Sequence, residues 1–481
     1  MLITGAEIEA AAPIDVRIAG GRIAEIGRAL PRRAGERMLD ASGGALLPGL
    51  HDHHIHLFAL AVADASVRCG PPQVRGLDAL ARALRGRGGQ SGWIRGVGYH
   101  ESVAGDLDRA RLDDLVPDRP LRIQHRSGAM WVLNSPALDR LGLDRGVNPP
   151  GVDRDSAGRA TGRLFRLDAW LRERIEDGAP PSLADVSLRL ASFGVTGLTD
   201  ATAENSGSEL RAFATAAERG ELLQHLVVMG RQDLPSPTHT MVERGALKVV
   251  LDESDLPSFD ELQGIIETAH GESRSAAVHC VTRSALVLAA AAFADAGSRP
   301  GDRIEHAAVA PPDAVQLLEK LPLTVVTQPG FIRERGDAYL VEVEPRDRPW
   351  LYRCRGFLDA SVPLGGSTDA PFGDPDPWAA MRAAVDRRTE AGATIGSNEA
   401  LAPERALALF TSPPARPGAA PRSIEVGARA NLCLLDRPWS TARSELSSGG
   451  VVATIRNGRV IWPMTELELP SPRGAGPGST S

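Results

Sequence analysis

Eight short apolar runs recur along this 481-residue chain, most of them ending on a polar residue and most leading into a segment with helical spacing of apolar side chains. They occupy residues 45–56, 194–200, 222–229, 246–252, 276–279, 302–306, 323–328 and 363–369. Helical periodicity lies between several of them, as at 285–294 and 313–319. Strands alternating with helices imply a parallel sheet, and eight such units imply a (β/α)8 barrel. In that architecture chemistry gathers at the C-terminal ends of the strands. His54, His56, Lys248, His279, His306 and Asp369 all fall in or at the ends of these runs. Each residue alone has an ordinary explanation, a hydrogen-bonded core histidine or a helix cap. Together they are six groups of metal-ligand or proton-transfer type that the topology directs to one mouth.

The first run carries the densest signal. Residues 51–56 read His-Asp-His-His-Ile-His and hold four of the chain's 11 histidines. Strand residues two apart face the same way, so His54 and His56 can converge on one ion while His51 and His53 face elsewhere. Neutral imidazole suits Zn, Fe, Ni or Cu.

A second signal is compositional. Of 54 basic residues only Lys248 and Lys320 are lysines. Lys320 reads as an exposed helix end. Lys248 sits inside a run with the pattern of a buried strand, where a desolvated amine can deprotonate and act as a nucleophile, which guanidinium cannot. The structural alternative is an ammonium that snorkels or pairs with Asp252.

The remaining totals exclude more than they assert. With 42% hydrophobic and 24% charged residues the chain can bury a large core. A net charge of -7, with no basic run, argues against nucleic acid or an anionic membrane as partner. No segment has the length and apolarity of a membrane span, and neither is a secretory leader legible, so a cytoplasmic location is the default expectation. Cys69, Cys280, Cys354 and Cys433 form no C-x-x-C pair, which points to reduced, buried thiols. A small-molecule substrate is the expected partner, with a homo-oligomer left open.

Several stretches resemble the amidohydrolase superfamily, in particular the branch that includes the N-substituted formamide deformylases. They are Leu47-Pro48-Gly49-Leu50-His51-Asp52-His53-His54-Ile55-His56, Gly92-Trp93-Ile94-Arg95-Gly96-Val97-Gly98-Tyr99, Asn134-Ser135-Pro136-Ala137-Leu138, Ser367-Thr368-Asp369-Ala370-Pro371 and the closing segments 426–436 and 454–460. The resemblance implies a metal-bearing barrel joined to a small β-sandwich built from both termini. Here these would be residues 46–419 for the barrel and residues 1–45 with 420–465 for the sandwich, followed by a disordered tail at 467–481. It also implies one or two divalent ions, zinc by default, held by His54, His56, Lys248, His279, His306 and Asp369. Lys248 would carry a carbamate bridging two ions, and Asp369 would serve as the catalytic acid–base group. The activity implied is hydrolysis of a C–N bond in an amide, cyclic amide or N-acyl or N-formyl compound through activated water. The alternatives are a one-metal deaminase or an ester or lactone hydrolase of the same superfamily, and, outside catalysis, a regulatory relative without metal. A deaminase calls for a glutamate soon after the fifth-strand histidine, and residues 280–283 read Cys-Val-Thr-Arg.

The chain also departs from the family pattern. Gly128-Ala129 stands where relatives carry Gly-His, while a histidine lies earlier, at His125. Asn431 replaces a usual aspartate. Between the first two barrel strands, residues 60–185 form a long insertion with Trp93, Tyr99, His100, His125, Arg126, Trp131 and Trp170 in a chain with only 4% aromatics. It can serve as a lid, as a separate core, or as both. Trp93, Tyr99, His125, Trp131, Arg283 and Gln328 are the substrate-binding candidates, Arg283 as a selector for an anionic group.

Overall fold

The computed structural model describes residues 1–463 except 72, 87–91, 148, 176–179 and 252–255. The expected tail at 467–481 and the partner considered for Lys248, Asp252, therefore lie outside the described residues. The chain divides into two compact units, Met1–Leu57 with Leu183–Ser481, and Phe58–Ser182.

In the first unit, both ends of the chain build a pair of four-stranded sheets. One contains Leu2–Ala6, Ile14–Ala19, Arg22–Gly27 and Met38–Asp40; the other contains Leu46–Pro48, Leu432–Leu435, Val451–Arg456 and Arg459–Trp462. Alternation along the strands turns Ile3, Val16, Ile18 and Ile23 toward Leu432, Leu434 and Ile455, and these side chains share one core. The apolar run at 45–50 is not one strand. Residues 46–48 pair antiparallel with the strand Leu432–Leu435, and a new strand begins at Leu50. The break falls at Gly49, whose N–H donates to Asn431 O at 2.8 Å. A Cβ on Gly49 would stand 2.3 Å from the Thr196 side chain, so only glycine allows this approach.

Eight parallel strands follow: β1 (Leu50–Ile55), β2 (Val195–Asp200), β3 (His225–Gly230), β4 (Val242–Val250), β5 (Ala276–Cys280), β6 (Arg303–His306), β7 (Thr324–Thr327) and β8 (Leu364–Gly366), paired in that order. The ends of the sheet meet just past β8. Asp369 N donates to His54 O, and His56 N to Ala370 O, both at 2.9 Å. The architecture is a TIM-like barrel with a terminal β-sandwich. One connection departs from strand–helix alternation, because no helix stands between β3 and β4. The helices Phe259–Gly271 and Arg283–Asp295 open on serine and threonine caps, Ser258 and Thr282, before their apolar faces begin. All four cysteines are free and buried. Among the described residues no helix is long and apolar enough to cross a membrane.

The second unit has a six-stranded sheet of its own, ordered Val152–Arg154, Ala160–Phe165, Met130–Leu133, Leu121–His125, Ile94–Tyr99 and Val67–Arg68. Two apolar clusters support it, one around Leu80, Tyr99, Leu121 and Ile123, the other around Trp131, Leu138, Leu164 and Leu171.

Candidate metal centre

Strand β1 sorts its histidines by alternation. His51 and His53 point into the packing outside the barrel wall: His51 Nε2 lies 2.9 Å from Thr199 Oγ1, and His53 Nε2 lies 3.0 Å from Ser412 Oγ. Asp52 and His54 face the other way. The Asp52 carboxylate accepts from Thr368 Oγ1 at 2.5 Å and Thr368 N at 3.1 Å, which ties β1 to the loop carrying Asp369. Burial pushes the Asp52 carboxyl up to about 7 despite those hydrogen bonds.

His54, His56 and Asp369 meet with their ligand atoms within 4.8 Å of one another. Asp369 Oδ1 lies 3.2 Å from His56 Nε2 and 3.5 Å from His54 Nε2, and Asp369 Oδ2 lies 3.9 Å from His306 Nδ1. The His306 ring stands 4.8 Å from that of His54 and 4.3 Å from that of His279. Lys248 is buried on β4, where its charge acts on His54, His279 and His306.

The other ring nitrogens of three histidines are engaged. His54 Nδ1 meets Glu305 Oε2 at 2.5 Å, His56 Nδ1 meets Thr202 Oγ1 at 2.9 Å, and His306 Nδ1 meets Gln328 Oε1 at 2.8 Å. Carboxylate and amide oxygens only accept, so the proton of His54 and of His306 sits on Nδ1 and leaves Nε2 as a bare lone pair. His306 Nε2, Asp369 Oδ1 and Lys248 Nζ are buried with no hydrogen-bond partner. Buried polar atoms without partners are costly, and here they are of ligand type and grouped. This set fits a divalent cation.

Electrostatics favour the forms a cation needs. Burial, and then the Lys248 charge, hold His54 well below the ordinary imidazole range and His279 down to about 4; burial takes His306 to about 3. Burial alone would raise Asp369, but His54, His56 and His306 outweigh it and keep the carboxylate ionised below its usual range. Burial likewise lowers the Lys248 ammonium, against the pull of Glu305.

Two residues of this cluster escape a reading of sequence. Glu305 is fully buried, holds His54 on one side and contacts Arg303 Nε at 2.7 Å on the other, while Arg303 also donates to His53 O at 2.6 Å. Arg303 and Glu305 share a face of β6, as residues two apart must. His306, adjacent to Glu305, would face away in a regular strand. Its backbone is left-handed, φ +71°, as is that of Asp369 at φ +55°, and these turns bring both side chains to the cluster. The visible signal is two opposite charges at alternate positions of an otherwise apolar strand.

The substrate-side expectations fare differently. Gln328 has both ends of its amide engaged, Oε1 by His306 and Nε2 by Ser367 Oγ at 2.9 Å. Arg283, at the start of its helix, pairs with Asp347 and lies over the Trp350 ring at 5.4 Å. Trp93, Tyr99, His125 and Trp131 belong to the second unit. Tyr99 donates to Gly105 O at 2.5 Å, and Trp131 Nε1 to Asp168 Oδ1 at 2.7 Å between the guanidinium groups of Arg95 and Arg122. His125 bridges Ser127 and Glu101, and Trp93 packs beneath Arg140. These contacts are those of a core that holds the insertion together.

Comparison with known proteins agrees with the fold. N-substituted formamide deformylase of Arthrobacter pascens is 29% identical, covering 94% of this chain and 95% of the deformylase. Two solved structures, uncharacterized metal-dependent hydrolases from Pyrococcus horikoshii OT3 and Pyrococcus furiosus, superpose with a TM-score of 0.74 each. They are 22% and 23% identical and cover 91% of this chain and 97% and 98% of theirs. Residues 37–462 match the model of one family throughout, and the chain belongs to that family, the amidohydrolases, hydrolases of carbon–nitrogen bonds.

Proposed function

We propose that this enzyme hydrolyses the C–N bond of an N-substituted formamide or a closely related N-acyl compound, releasing an amine and a carboxylate. The observation that carries the reading is the convergence of His54, His56 and Asp369, with His279, His306 and Lys248 beside them. Likeness to the formamide deformylase over nearly the whole length of both chains supports the substrate class.

In this reading His54 and His56 bind one cation through Nε2, His279 and His306 bind a second, and Asp369 contacts the first. Zinc is the ion we assign. A bound divalent cation polarises the substrate carbonyl and lowers the pKa of water. Lys248, whose ammonium is destabilised by burial, could react as the free amine with carbon dioxide and lose one proton, and the resulting carbamate would offer an anionic oxygen as a metal ligand. Glu305, braced by Arg303, fixes the His54 ring so that Nε2 faces Asp369. Asp369 accepts a proton from the attacking water and returns it to the departing nitrogen, which then leaves as a neutral amine. The enzyme works in the cytoplasm.

The test is a panel of N-substituted formamides, N-acyl amino acids, lactams, hydantoins and esters offered to zinc-loaded protein, with amine and formate release followed together. Equimolar amine and formate from a formamide supports the reading. Turnover confined to esters or lactones would overturn it.

A further inference from the structure

The opposite end of the barrel from the metal centre holds a cavity of about 730 Å³, enclosed between the first residues of β1 to β4 and the terminal sandwich. That volume lies in the range of small-molecule sites. Its lining is strongly cationic. Arg422, Arg429 and Arg456 face it, along with His51 and His225, and Glu243 is the one acidic residue in the lining. Glu243 is already engaged, 3.2 Å from His225 Nε2.

Arg429 is exposed, and Arg422 and Arg456 have no carboxylate partner among the described residues. Arg422 is largely buried and spends its Nε and one Nη on the carbonyls of Thr411 and Gly49, with no carboxylate acting on it. Burial alone takes it down to about 10. Arg456 is partly buried, its Nε has no hydrogen-bond partner, and the charged neighbour that acts on it is another cation, Arg459. His51 Nδ1 is likewise buried without a partner, and the ring is held neutral first by burial and then by the positive field of His53, Arg422 and His225. Desolvated cations are expensive unless something anionic answers them. Guanidinium groups answer oxyanions best, through parallel N–H donors.

We propose that this cavity is a second ligand site, separate from the metal centre, that binds a small multiply charged oxyanion carrying phosphoryl or carboxylate groups through Arg422, Arg429 and Arg456. Such a ligand would clamp the sandwich to the N-terminal ends of the strands whose other ends carry the metal ligands. The inference does not depend on the substrate assigned above.

Calorimetric titration of the full-length, zinc-loaded protein tests it, with inorganic phosphate, pyrophosphate and succinate as probes and sodium chloride matched for ionic strength. The expected result is saturable binding of at least one probe, with the preference between pyrophosphate and succinate identifying the charged group. Arg456→Met combined with Arg429→Met should weaken it by about tenfold or more, the scale of a lost charge-assisted hydrogen bond, with zinc content and turnover unchanged. Arg422 is left in place because it braces Gly49. No binding beyond the salt control overturns the proposal. So does binding that survives the double substitution, or binding that disappears when zinc is removed, which would locate the anion at the metal centre.

Discussion

The metal centre and the insertion are both rich in histidine, carboxylate and aromatic side chains, yet they treat their polar atoms in opposite ways. In the insertion the Tyr99 hydroxyl, the Trp131 indole and the His125 ring all end on protein partners. At the mouth of the barrel, His306 Nε2 and Lys248 Nζ are buried with no hydrogen-bond partner, and Asp369 Oδ1 meets only the ring nitrogens of His54 and His56. The first pattern is what a core needs, and the second is one that a bound cation would satisfy. Residue type alone does not separate the two; the fate of the second nitrogen or oxygen does.

Four substitutions break or sharpen that contrast. Asp369→Asn keeps the size of the side chain and one coordinating oxygen but removes the base, so zinc content should hold while turnover falls roughly 10²–10⁴-fold. Near-normal turnover in a zinc-replete variant places the proton transfer elsewhere. Lys248→Arg puts a permanent charge where an amine is needed, and most activity should vanish in a folded protein. Mass spectrometry under native conditions should also lose any carbamate adduct, and a wild-type rate would dismiss the role.

Glu305→Gln leaves a hydrogen-bond acceptor beside His54 but removes the charge that Arg303 and the imidazole share. Zinc affinity, read by competition with a chelator, should drop about 10–100-fold, the scale for partners that orient a metal ligand. Unchanged affinity means His54 is held by packing alone. The smallest effect belongs to the insertion: Tyr99→Phe loses one buried hydrogen bond to Gly105, about 1 kcal/mol in urea unfolding, with zinc binding untouched. A loss of zinc in that variant would erase the distinction between the two regions.

Much of the centre could be read from sequence because strand alternation and barrel topology are local rules with long reach. His54 and His56 follow from a period of two, and Lys248 from its persistence among arginines. Other parts could not be read, for physical reasons. Glu305 meets His54 across 251 residues, a pairing that no local pattern encodes. His306 joins Glu305 only through a left-handed backbone, which alternation forbids. The run at 45–50 looked continuous because its apolar pattern is continuous; what divides it is a steric demand at Gly49 from Thr196, on a strand far along the chain. Gln328 and Arg283 have partners, Ser367 and Asp347, that are visible only once the chain is folded.

The pairing of Leu46–Pro48 with Leu432–Leu435 bears on how this molecule is made. The strand that bears His54 begins just beyond an anchor whose partner is synthesised far later. Until then Leu46 has only the N-terminal sheet to cover it, and the entry to β1 lacks its antiparallel partner. Contacts spanning this much of the chain slow folding and leave apolar edges open to wrong partners. Nascent chains stalled before residue 432 should therefore fall to proteases at 46–50, and full-length ones should resist. A truncation that removes residues 432–435 would then cost more than a few surface strands, since the strand it deletes anchors the entry to the one bearing His54.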